Sequence, residues 1–243
     1  MIFYKKLWMS FRKRLYLVRG KRFHVKKVKG LLYLLDMRNR VDRQIDAFSI
    51  YEKPQVDFLL STLKNEHCNC FVDIGSHWGY YSLMFANESA FDSAEIHAFE
   101  PDDINRNQLF SNLFLNKMQD RIKVYDKAIS NSEGELRFHH FDENNRGRSC
   151  IADDGEKVVK TTRLDTVLDL KGKVLGIKID VEGHELDVMS GMTDVLKNNK
   201  CILQIESFPD VLPELIIVMS GLGYEKIKTI ESDHYFTKSD SIK

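Results

Sequence analysis

The clearest indication of the fold lies in residues 70–89, "CFVDIGSHWGYYSLMFANES". Its first residues form a short, mainly apolar run, which predicts a buried strand. The run ends in a turn that holds Gly75 and Gly79, and a helical pattern follows it. A strand, a glycine turn and a helix in direct succession are typical of a β-α-β unit, in which the next strand runs parallel to the first.

The same alternation continues towards the C-terminus. The predicted elements are strands at 95–100, 121–129, 174–181 and 201–206, helices at 103–117 and 185–198, and a final pair of strands at 223–230 and 234–238. Strands that alternate with helices build a parallel sheet with helices on both faces. The sequence therefore predicts an α/β fold with a doubly wound, mostly parallel, seven-stranded sheet that ends in a C-terminal antiparallel hairpin.

The length of 243 residues suits one domain with appendages, and a hydrophobic fraction of 43% suffices for a core. We expect the main domain to span 45–243, with a loop-rich insertion at 131–172 that is a natural place for substrate contacts. Residues 1–44 are predicted to form a basic amphipathic helix followed by two short β segments around Gly30.

The N-terminal helix is predicted at residues 2–18, where one face collects the apolar side chains of Phe3, Tyr4, Leu7, Trp8, Phe11, Leu15 and Val18. Residues 1–30 hold eleven Lys and Arg and no Asp or Glu, whereas the remainder carries a net charge of −11. A basic segment on an acidic body indicates an anionic partner, either a membrane surface or a nucleic acid. The apolar face favours a lipid interface. Packing of this helix on the domain is the alternative.

The location of the protein is predicted from what the sequence lacks. No secretory signal is recognisable, and no apolar stretch approaches the length of a membrane span. The four cysteines form no disulfide-like array, which favours a reducing compartment. We expect a cytoplasmic protein, with peripheral contact at the inner face of the membrane through residues 2–18.

A ligand site is predicted where the parallel strands end, because open α/β sheets bind ligands beyond their carboxyl edge. The first strand runs into Asp73, Gly75, Ser76, His77 and Gly79, and the second ends in Glu100. Glycines let the backbone approach a ligand, and an acid after the second strand typically binds ribose hydroxyls. The pattern predicts a cofactor that contains a nucleoside.

The identity of this cofactor follows from Asp73, which precedes the first glycine. A pyrophosphate would be repelled there, so a nicotinamide-dependent oxidoreductase is the less favoured hypothesis. S-adenosylmethionine carries a sulfonium and an ammonium group, and a carboxylate favours both. The alternative for Asp73 alone is an acid that only caps the following turn.

Five stretches of the chain carry a family resemblance: "FVDIGSHWGYYS", "HAFEPDDINRNQLFSNLFLN", "KAIS", "RLDTVLDL" and "LGIKIDVEGHELDVMSGM". In this order they resemble the FkbM-type family of S-adenosylmethionine-dependent methyltransferases, over roughly residues 45–210. The resemblance implies the class I methyltransferase, Rossmann-like fold and O-methylation of hydroxyl groups, often on sugars. His77 and Trp78 depart from the residues common in that family.

The resemblance also implies site residues. Asp73, Gly75 and Gly79 are expected to contact cofactor, Glu100 to bind ribose and Ala128 to lie near the adenine. The full predicted cofactor set is Asp73, Gly75, Ser76, His77, Gly79, Tyr80, Glu100, Asp126, Ala128 and Asp180.

The catalytic residues are predicted in "GIKIDVEGHELDVM", residues 176–189. Asp180 falls at the end of a strand, beside the turn of the first strand, and Lys178 on the same face favours its ionised form. We expect Asp180 to orient cofactor and acceptor. His184 is the predicted proton acceptor, because imidazole titrates near neutral pH.

The acceptor is predicted to be a sugar hydroxyl of a glycan or glycolipid precursor, with a small-molecule natural product as the alternative. Arg146 and Arg148 either hold a substrate phosphate or carboxylate or belong to a solvated loop. His139 and His140 fall on opposite faces of a strand, so one of them could face substrate. A binding-only protein is disfavoured, because the strand-end residues are intact.

Two further functions are disfavoured. No metal site is predicted, because the spacing of His67, Cys68 and Cys70 is not that of a zinc pair. No nucleic-acid substrate is expected, because residues 180–183 lack the proline and aromatic run typical of enzymes that methylate exocyclic amines.

Overall fold

The computed structural model describes residues 2–49, 51–139 and 146–238. The strands are β1 (Phe23–Val28), β2 (Leu31–Asp36), β3 (Cys70–Ile74), β4 (Glu95–Phe99), β5 (Lys123–Tyr125), β6 (Ala128–Ile129), β7 (Gly134–His139), β8 (Cys150–Ile151), β9 (Lys157–Thr162), β10 (Val174–Ile179), β11 (Lys200–Glu206), β12 (Tyr224–Ile230) and β13 (Asp233–Lys238). The α-helices are α1 (Ile2–Val18), α2 (Arg40–Phe48), α3 (Lys53–Asn65), α4 (Tyr80–Ala86), α5 (Asp103–Asn116), α6 (Leu164–Val167), α7 (Glu185–Ser190), α8 (Thr193–Asn198) and α9 (Leu212–Gly221).

The central sheet has the strand order β12-β13-β11-β10-β3-β4-β5. Strands β11, β10, β3, β4 and β5 run parallel to one another, whereas β13 is antiparallel to both of its neighbours. The predicted α/β class is confirmed, with a mixed central sheet. Because parallel strands end at one edge, the residues after β3, β4, β10 and β11 meet there.

The central parallel strands β3, β10 and β11 are buried on both faces, as parallel sheets require. Every residue of β3 is buried. One apolar cluster joins the sheet to α3, α4, α5 and the β1–β2 hairpin, and a second joins it to α7, α8 and α9. No described helix combines the length and the apolar character that a membrane crossing needs.

The N-terminal hairpin is fastened to α5 by side-chain amides. Asn112 and Asn116 accept hydrogen bonds from the backbone N–H groups of Leu34 and Leu32 at 2.7 and 2.8 Å. The amide of Gln108 donates to the carbonyl of Leu34 at 2.8 Å. These bonds satisfy the free edge of β2, which pairs with β1 on its other side.

The structure differs from the predicted elements in three places. The strand predicted at 121–129 divides into β5 and β6, and β6 joins a second sheet of order β6-β9-β7-β8 that the 131–172 insertion builds. The helix predicted at 185–198 divides into α7 and α8 at Gly191 and Met192, and Gly191 packs so closely against Ser130 that a Cβ would lie 1.9 Å from its carbonyl oxygen. Helices α2, α6 and α9 were not predicted, and α2 spans the boundary expected between residues 44 and 45.

Candidate active site

A cavity of about 360 Å³ opens at the carboxyl edge of the central sheet. Its walls come from the ends of β3, β4, β10 and β11, from α2 and from the insertion. The predicted site residues that line it are Asp73, Gly75, Ser76, His77, Tyr80, Glu100, Ala128, Asp180 and His184. Gly79 and Asp126 do not line it: Gly79 is the N-cap of α4, and Asp126 is an exposed turn residue.

The turn after β3 crosses the end of β10 at close range. Gly75 has a φ of 77°, and a Cβ there would lie 1.8 Å from the carbonyl oxygen of Asp180. Only glycine meets both conditions. Next to it, the Ser76 hydroxyl and the His77 Nε2 are buried and make no hydrogen bond within the described part of the chain. Burial lowers the pKa of His77 to about 3, so its ring is neutral.

Asp73 holds the start of α4. Its Oδ2 accepts hydrogen bonds from the backbone N–H of Ser82 at 3.1 Å and from the Ser82 hydroxyl at 2.6 Å. Burial raises the pKa of Asp73 to about 6, while Ser82 and Lys178 act in the opposite direction. Asp73 therefore has a capping role and also borders the cavity.

Glu100 organises the second strand end. Its Oε2 accepts from the N–H of His77 at 2.7 Å, and its Oε1 accepts from the N–H of Asp102 at 2.8 Å. Burial raises the pKa of Glu100 to about 8. Each carboxylate oxygen can accept a second hydrogen bond, so Glu100 retains capacity for a ligand hydroxyl.

Four ionisable side chains that line the cavity interact with one another: Lys178, Asp180, Glu206 and Glu52. The Lys178 Nζ lies 3.2 Å from Oδ2 of Asp180 and 5.2 Å from the ring centroid of Tyr81. Burial alone would lower the pKa of Lys178, but the surrounding carboxylates outweigh burial and raise it. The buried ammonium therefore stays charged and holds the acids around it.

Two acids of this cluster were missed by sequence reasoning. Glu206 ends β11, so the strand-end rule that identified Glu100 could have found it. The charge of Asp180 and then burial raise the pKa of Glu206 to about 8. Glu52 precedes α3 with a φ of 42°, accepts a hydrogen bond from the Tyr81 hydroxyl at 2.9 Å, and has a pKa that burial raises to about 7. No local pattern marks Glu52.

His184 lines the cavity with both ring nitrogens engaged. Its Nε2 lies 2.9 Å from the Ser130 hydroxyl, and its Nδ1 lies 3.3 Å from Oδ2 of Asp187. This arrangement suits a proton on Nδ1, with Nε2 accepting from Ser130. Burial lowers the pKa of His184, and Asp187 opposes the change.

Arg146 belongs to the insertion but is 2% exposed. Its Nη2 donates to the Gln108 side chain at 2.8 Å and lies 3.5 Å from Asp36 and 3.9 Å from Asp42. Of the two alternatives for Arg146, the solvated loop is wrong, because a buried ion pair ties the insertion to β2, α2 and α5 at this residue. Arg146 also lines the cavity, so contact with an anionic group of the substrate stays a prediction. The side chain of Arg148 and all of His140 lie outside the described residues. His139 contacts Glu156 at 3.2 Å, away from the cavity.

The cysteines do not form disulfides, and Cys68, Cys70 and Cys201 are buried. Cys70, Glu95 and His97 place one possible ligand atom each within 4.8 Å of the others. Glu95 is bound by Lys173 at 2.6 Å, and the His97 Nδ1 lies 3.0 Å from the Tyr125 hydroxyl. Existing partners therefore explain two of these side chains, and the absence of a metal stays a prediction.

A glycine turn after the first parallel strand, an acid after the second and an antiparallel hairpin at the edge define the fold class of the class I methyltransferases. The solved structure of the human methyltransferase 10 domain containing protein shares this fold, with a TM-score of 0.51 and 14% identity, covering 96% of this chain and 95% of that one. A FkbM methyltransferase from Methylobacillus flagellatus KT gives a TM-score of 0.49 and 17% identity, and its match covers 70% of this chain and 43% of its own length.

Residues 70–226 match the Methyltransferase FkbM domain, and the chain belongs to the FkbM methyltransferase family. Its relatives include the hexuronic acid methyltransferase AglP of Haloferax volcanii, which is 25% identical over 78% of this chain and 72% of its own length. The methyltransferase sdnD of Sordaria araneosa is 26% identical over 79% of this chain and 76% of its own length. The predicted family is confirmed, and membership of a methyltransferase family disfavours the oxidoreductase hypothesis.

Proposed function

We propose that this protein is an S-adenosylmethionine-dependent O-methyltransferase that acts on a sugar hydroxyl of a glycan or glycolipid precursor. One observation carries the proposal. A single cavity joins a strand-end site suited to a nucleoside, with Gly75 and Glu100, to a cluster of carboxylates suited to a polyhydroxylated acceptor. The relative named as a hexuronic acid methyltransferase supports a sugar substrate.

The residues around the β3 turn fit the cofactor. Ser76 and His77 present buried polar atoms without described partners, and Gly75 lets the turn after β3 pass directly against the carbonyl of Asp180. When bound, S-adenosylmethionine supplies an activated methyl group. Glu100 would bind its ribose hydroxyls, Ala128 would border the adenine, and Asp180 would favour its positive charge.

The carboxylate cluster would bind and deprotonate the acceptor. Glu52, Asp180 and Glu206 are hydrogen-bond acceptors, and a sugar presents several donors in fixed geometry. Asp180 would orient the reacting hydroxyl. Glu206 would take the proton of that hydroxyl, because the raised pKa of Glu206 lies close to the working pH. The Ser232 hydroxyl donates a hydrogen bond to Oε1 of Glu206 at 2.9 Å and holds the carboxylate in place.

His184 is the second candidate for the proton acceptor. It lines the same cavity, and burial keeps it neutral near pH 7. Its contacts with Ser130 and Asp187 favour a positioning role, in which it fixes the start of α7 beside Asp180.

This proposal has two forms, which differ in the class of molecule that accepts the methyl group. Under the first, uronic acids and other glycosides accept the methyl group, and under the alternative a small-molecule natural product does. We propose a cytoplasmic enzyme at the inner face of a membrane, with no nucleic-acid substrate.

Isothermal calorimetry with S-adenosylmethionine, S-adenosylhomocysteine and NAD tests the cofactor. Binding of the first two and no binding of NAD is expected, and the reverse preference would overturn the assignment. Transfer of an isotopically labelled methyl group to a panel of uronides, neutral glycosides and phenols then tests the acceptor. Labelling confined to phenols would contradict a sugar substrate.

A further inference from the structure

One face of the N-terminal helix α1 is attached to the domain through Arg12 and Tyr16. The Arg12 guanidinium donates to both carboxylate oxygens of Asp46 on α2, with Nη2 2.9 Å from Oδ1. The Tyr16 ring stacks on His24 with 4.4 Å between ring centroids. Asp46 is 2% exposed, and its bonds to His24 and Arg12 overcome the effect of burial and lower its pKa to about 2. A buried carboxylate that accepts two hydrogen bonds from Arg12 fixes the rotation of α1 about its own axis.

The opposite face of α1 is apolar and exposed. We call this the outward face, and its side chains are Tyr4 (75% exposed), Leu7 (59%), Trp8 (45%), Phe11 (55%), Leu15 (39%) and Val18 (86%). At about 100° per residue they occupy an arc of roughly 100°. Tyr16 lies on the far side of the helix, and Arg12 lies next to the Trp8 border of the arc, 5.8 Å from the centroid of that ring. The helix therefore packs on the domain, as one hypothesis held, and still leaves its apolar arc in solvent. A contiguous apolar surface of this kind marks an interaction site.

The charge around the outward face selects the partner. Arg14 and Arg19 are both exposed and lie at the two borders of the apolar arc. All eleven charged residues within 1–30 are basic. A second copy of the chain seated face to face would bring two such sets together, and their repulsion opposes a dimer. An anionic lipid surface attracts the same charges while its hydrocarbon boundary accepts the apolar side chains.

We propose that the outward face of α1 binds a membrane surface with anionic headgroups, and that the helix lies in the plane of the interface. Trp8 and Tyr4 have the aromatic, amphipathic rings that settle at headgroup level. Arg14 and Arg19 reach the phosphates from either side of the apolar arc. The contact is peripheral, because the docked face remains on the domain.

The attachment through Asp46 also sets the position of the cavity. Helix α2 carries Asp46 on one side, while Arg40, Val41 and Gln44 of the same helix line the cavity. One helix therefore separates the membrane contact from the active site. A hydroxyl acceptor carried on a lipid is the substrate class that this geometry serves. This step rests on the proposed methyltransferase function, whereas membrane binding itself does not.

Vesicle flotation and tryptophan fluorescence test the contact without any acceptor. The chain has two tryptophans, and Trp78 is 1% exposed, so a spectral change on binding reports on Trp8. With vesicles of phosphatidylcholine plus phosphatidylglycerol, we expect flotation and a blue shift, both weakened by added salt. Vesicles of phosphatidylcholine alone should bind much more weakly. Equal binding to both vesicle types, unaffected by salt, would contradict the electrostatic part of the proposal.

A matched pair of double variants tests the face. Leu7→Glu with Phe11→Glu should weaken vesicle binding on the order of 100-fold, because each large apolar side chain withdrawn from the interface forfeits about tenfold. Phe114→Glu with Ile217→Glu alters two side chains of comparable exposure, 72% and 71%, on α5 and α9, and should leave binding unchanged. Circular dichroism and S-adenosylmethionine calorimetry check the fold and cofactor site of each variant.

Three results would overturn the proposal. The control pair could lose as much binding as the α1 pair, which would mean that α1 is not the contact. The wild-type chain could form a dimer that Leu7→Glu with Phe11→Glu dissociates, which would assign the outward face to a second copy. The wild-type chain could fail to bind anionic vesicles at low salt. Cofactor binding that survives in any of these cases would leave the proposed enzyme function standing.

Discussion

At the residue scale, the two candidates for the proton acceptor have pKa values that are shifted in opposite directions. Asp180 raises the pKa of Glu206 to about 8, whereas burial lowers that of His184 from its ordinary value of 6.5. A base must be unprotonated, so turnover that depends on Glu206 rises with pH through about 8. Turnover that depends on His184 has already reached its plateau above pH 6.5.

We expect Glu206→Gln to lower single-turnover methyl transfer by roughly 10²–10⁴-fold, because a positioned base contributes that much. Asp180→Asn should also lose most turnover, and the pH midpoint of its residual activity should shift down, since the main cause of the raised Glu206 pKa is removed. Calorimetry with S-adenosylmethionine controls for cofactor binding. His184 would be the proton acceptor if His184→Ala shows the large loss of methyl transfer instead, and if the wild-type rate rises with pH below 6.5.

Glu100 gives a prediction about the cofactor. Glu100→Ala should weaken S-adenosylmethionine binding by about 1–3 kcal/mol, because ribose hydroxyls would lose a partner and the N–H groups of His77 and Asp102 would be left unpaired. Calorimetry measures the affinity. Glu100→Gln keeps the volume and one acceptor oxygen and should lose less. Wild-type affinity in the alanine variant would remove Glu100 from the cofactor site.

At the scale of elements, the site depends on the contact between the β3 turn and the end of β10. Gly75 and Gly172 both have positive φ, 77° and 65°, but only Gly75 has an atom within 4 Å of a built Cβ. The two positions therefore separate backbone strain from steric clash.

We expect Gly172→Ala to cost about 1–2 kcal/mol of unfolding free energy from the left-handed conformation alone. Gly75→Ala should cost at least about 2 kcal/mol more, because the methyl group meets the carbonyl of Asp180. It should also weaken cofactor binding, because the turn after β3 could no longer lie against the end of β10. Urea unfolding and calorimetry measure the two effects, and equal losses in both variants would show that the close approach is not rigid.

At the scale of the whole molecule, buried carboxylates make the unliganded protein sensitive to base. The pKa values of Glu100, Glu206 and Glu52 are raised to about 8, 8 and 7. A raised folded-state pKa means that the native state binds more protons than the unfolded chain at a given pH, so stability rises as pH falls through that pKa.

The melting temperature of the cofactor-free protein should therefore increase from pH 8.5 to about 7. Below about pH 6.5, His77 opposes this rise in stability. Its ring stays neutral in the native state, whereas the same ring binds a proton in the unfolded chain. Differential scanning fluorimetry across this range measures the change. In Glu206→Gln the slope should become shallower, and an unchanged slope would mean that Glu206 does not titrate there.

The alternation of strands and helices in the central sheet, the α/β class and the family resemblance could all be read from the sequence alone. Periodicity and glycine turns are local, so Asp73, Gly75, Glu100 and Asp180 could be placed at strand ends without coordinates. The sequence also determined the amphipathic character of α1, because charge and apolar spacing lie within seventeen residues.

The contacts that those local features make could be learned from the tertiary structure alone. It brought Glu52 and Glu206 beside Asp180 and Lys178, and it gave Asp73 a capping bond to Ser82. It moved β6 out of the central sheet and buried Arg146 against Asp36. It turned the apolar face of α1 outward through Arg12 and Asp46, which lie 34 residues apart. Each of these outcomes depends on a contact between segments that are distant in the sequence. The energy of such a contact belongs to the pair of residues, so a short stretch of sequence cannot reveal it.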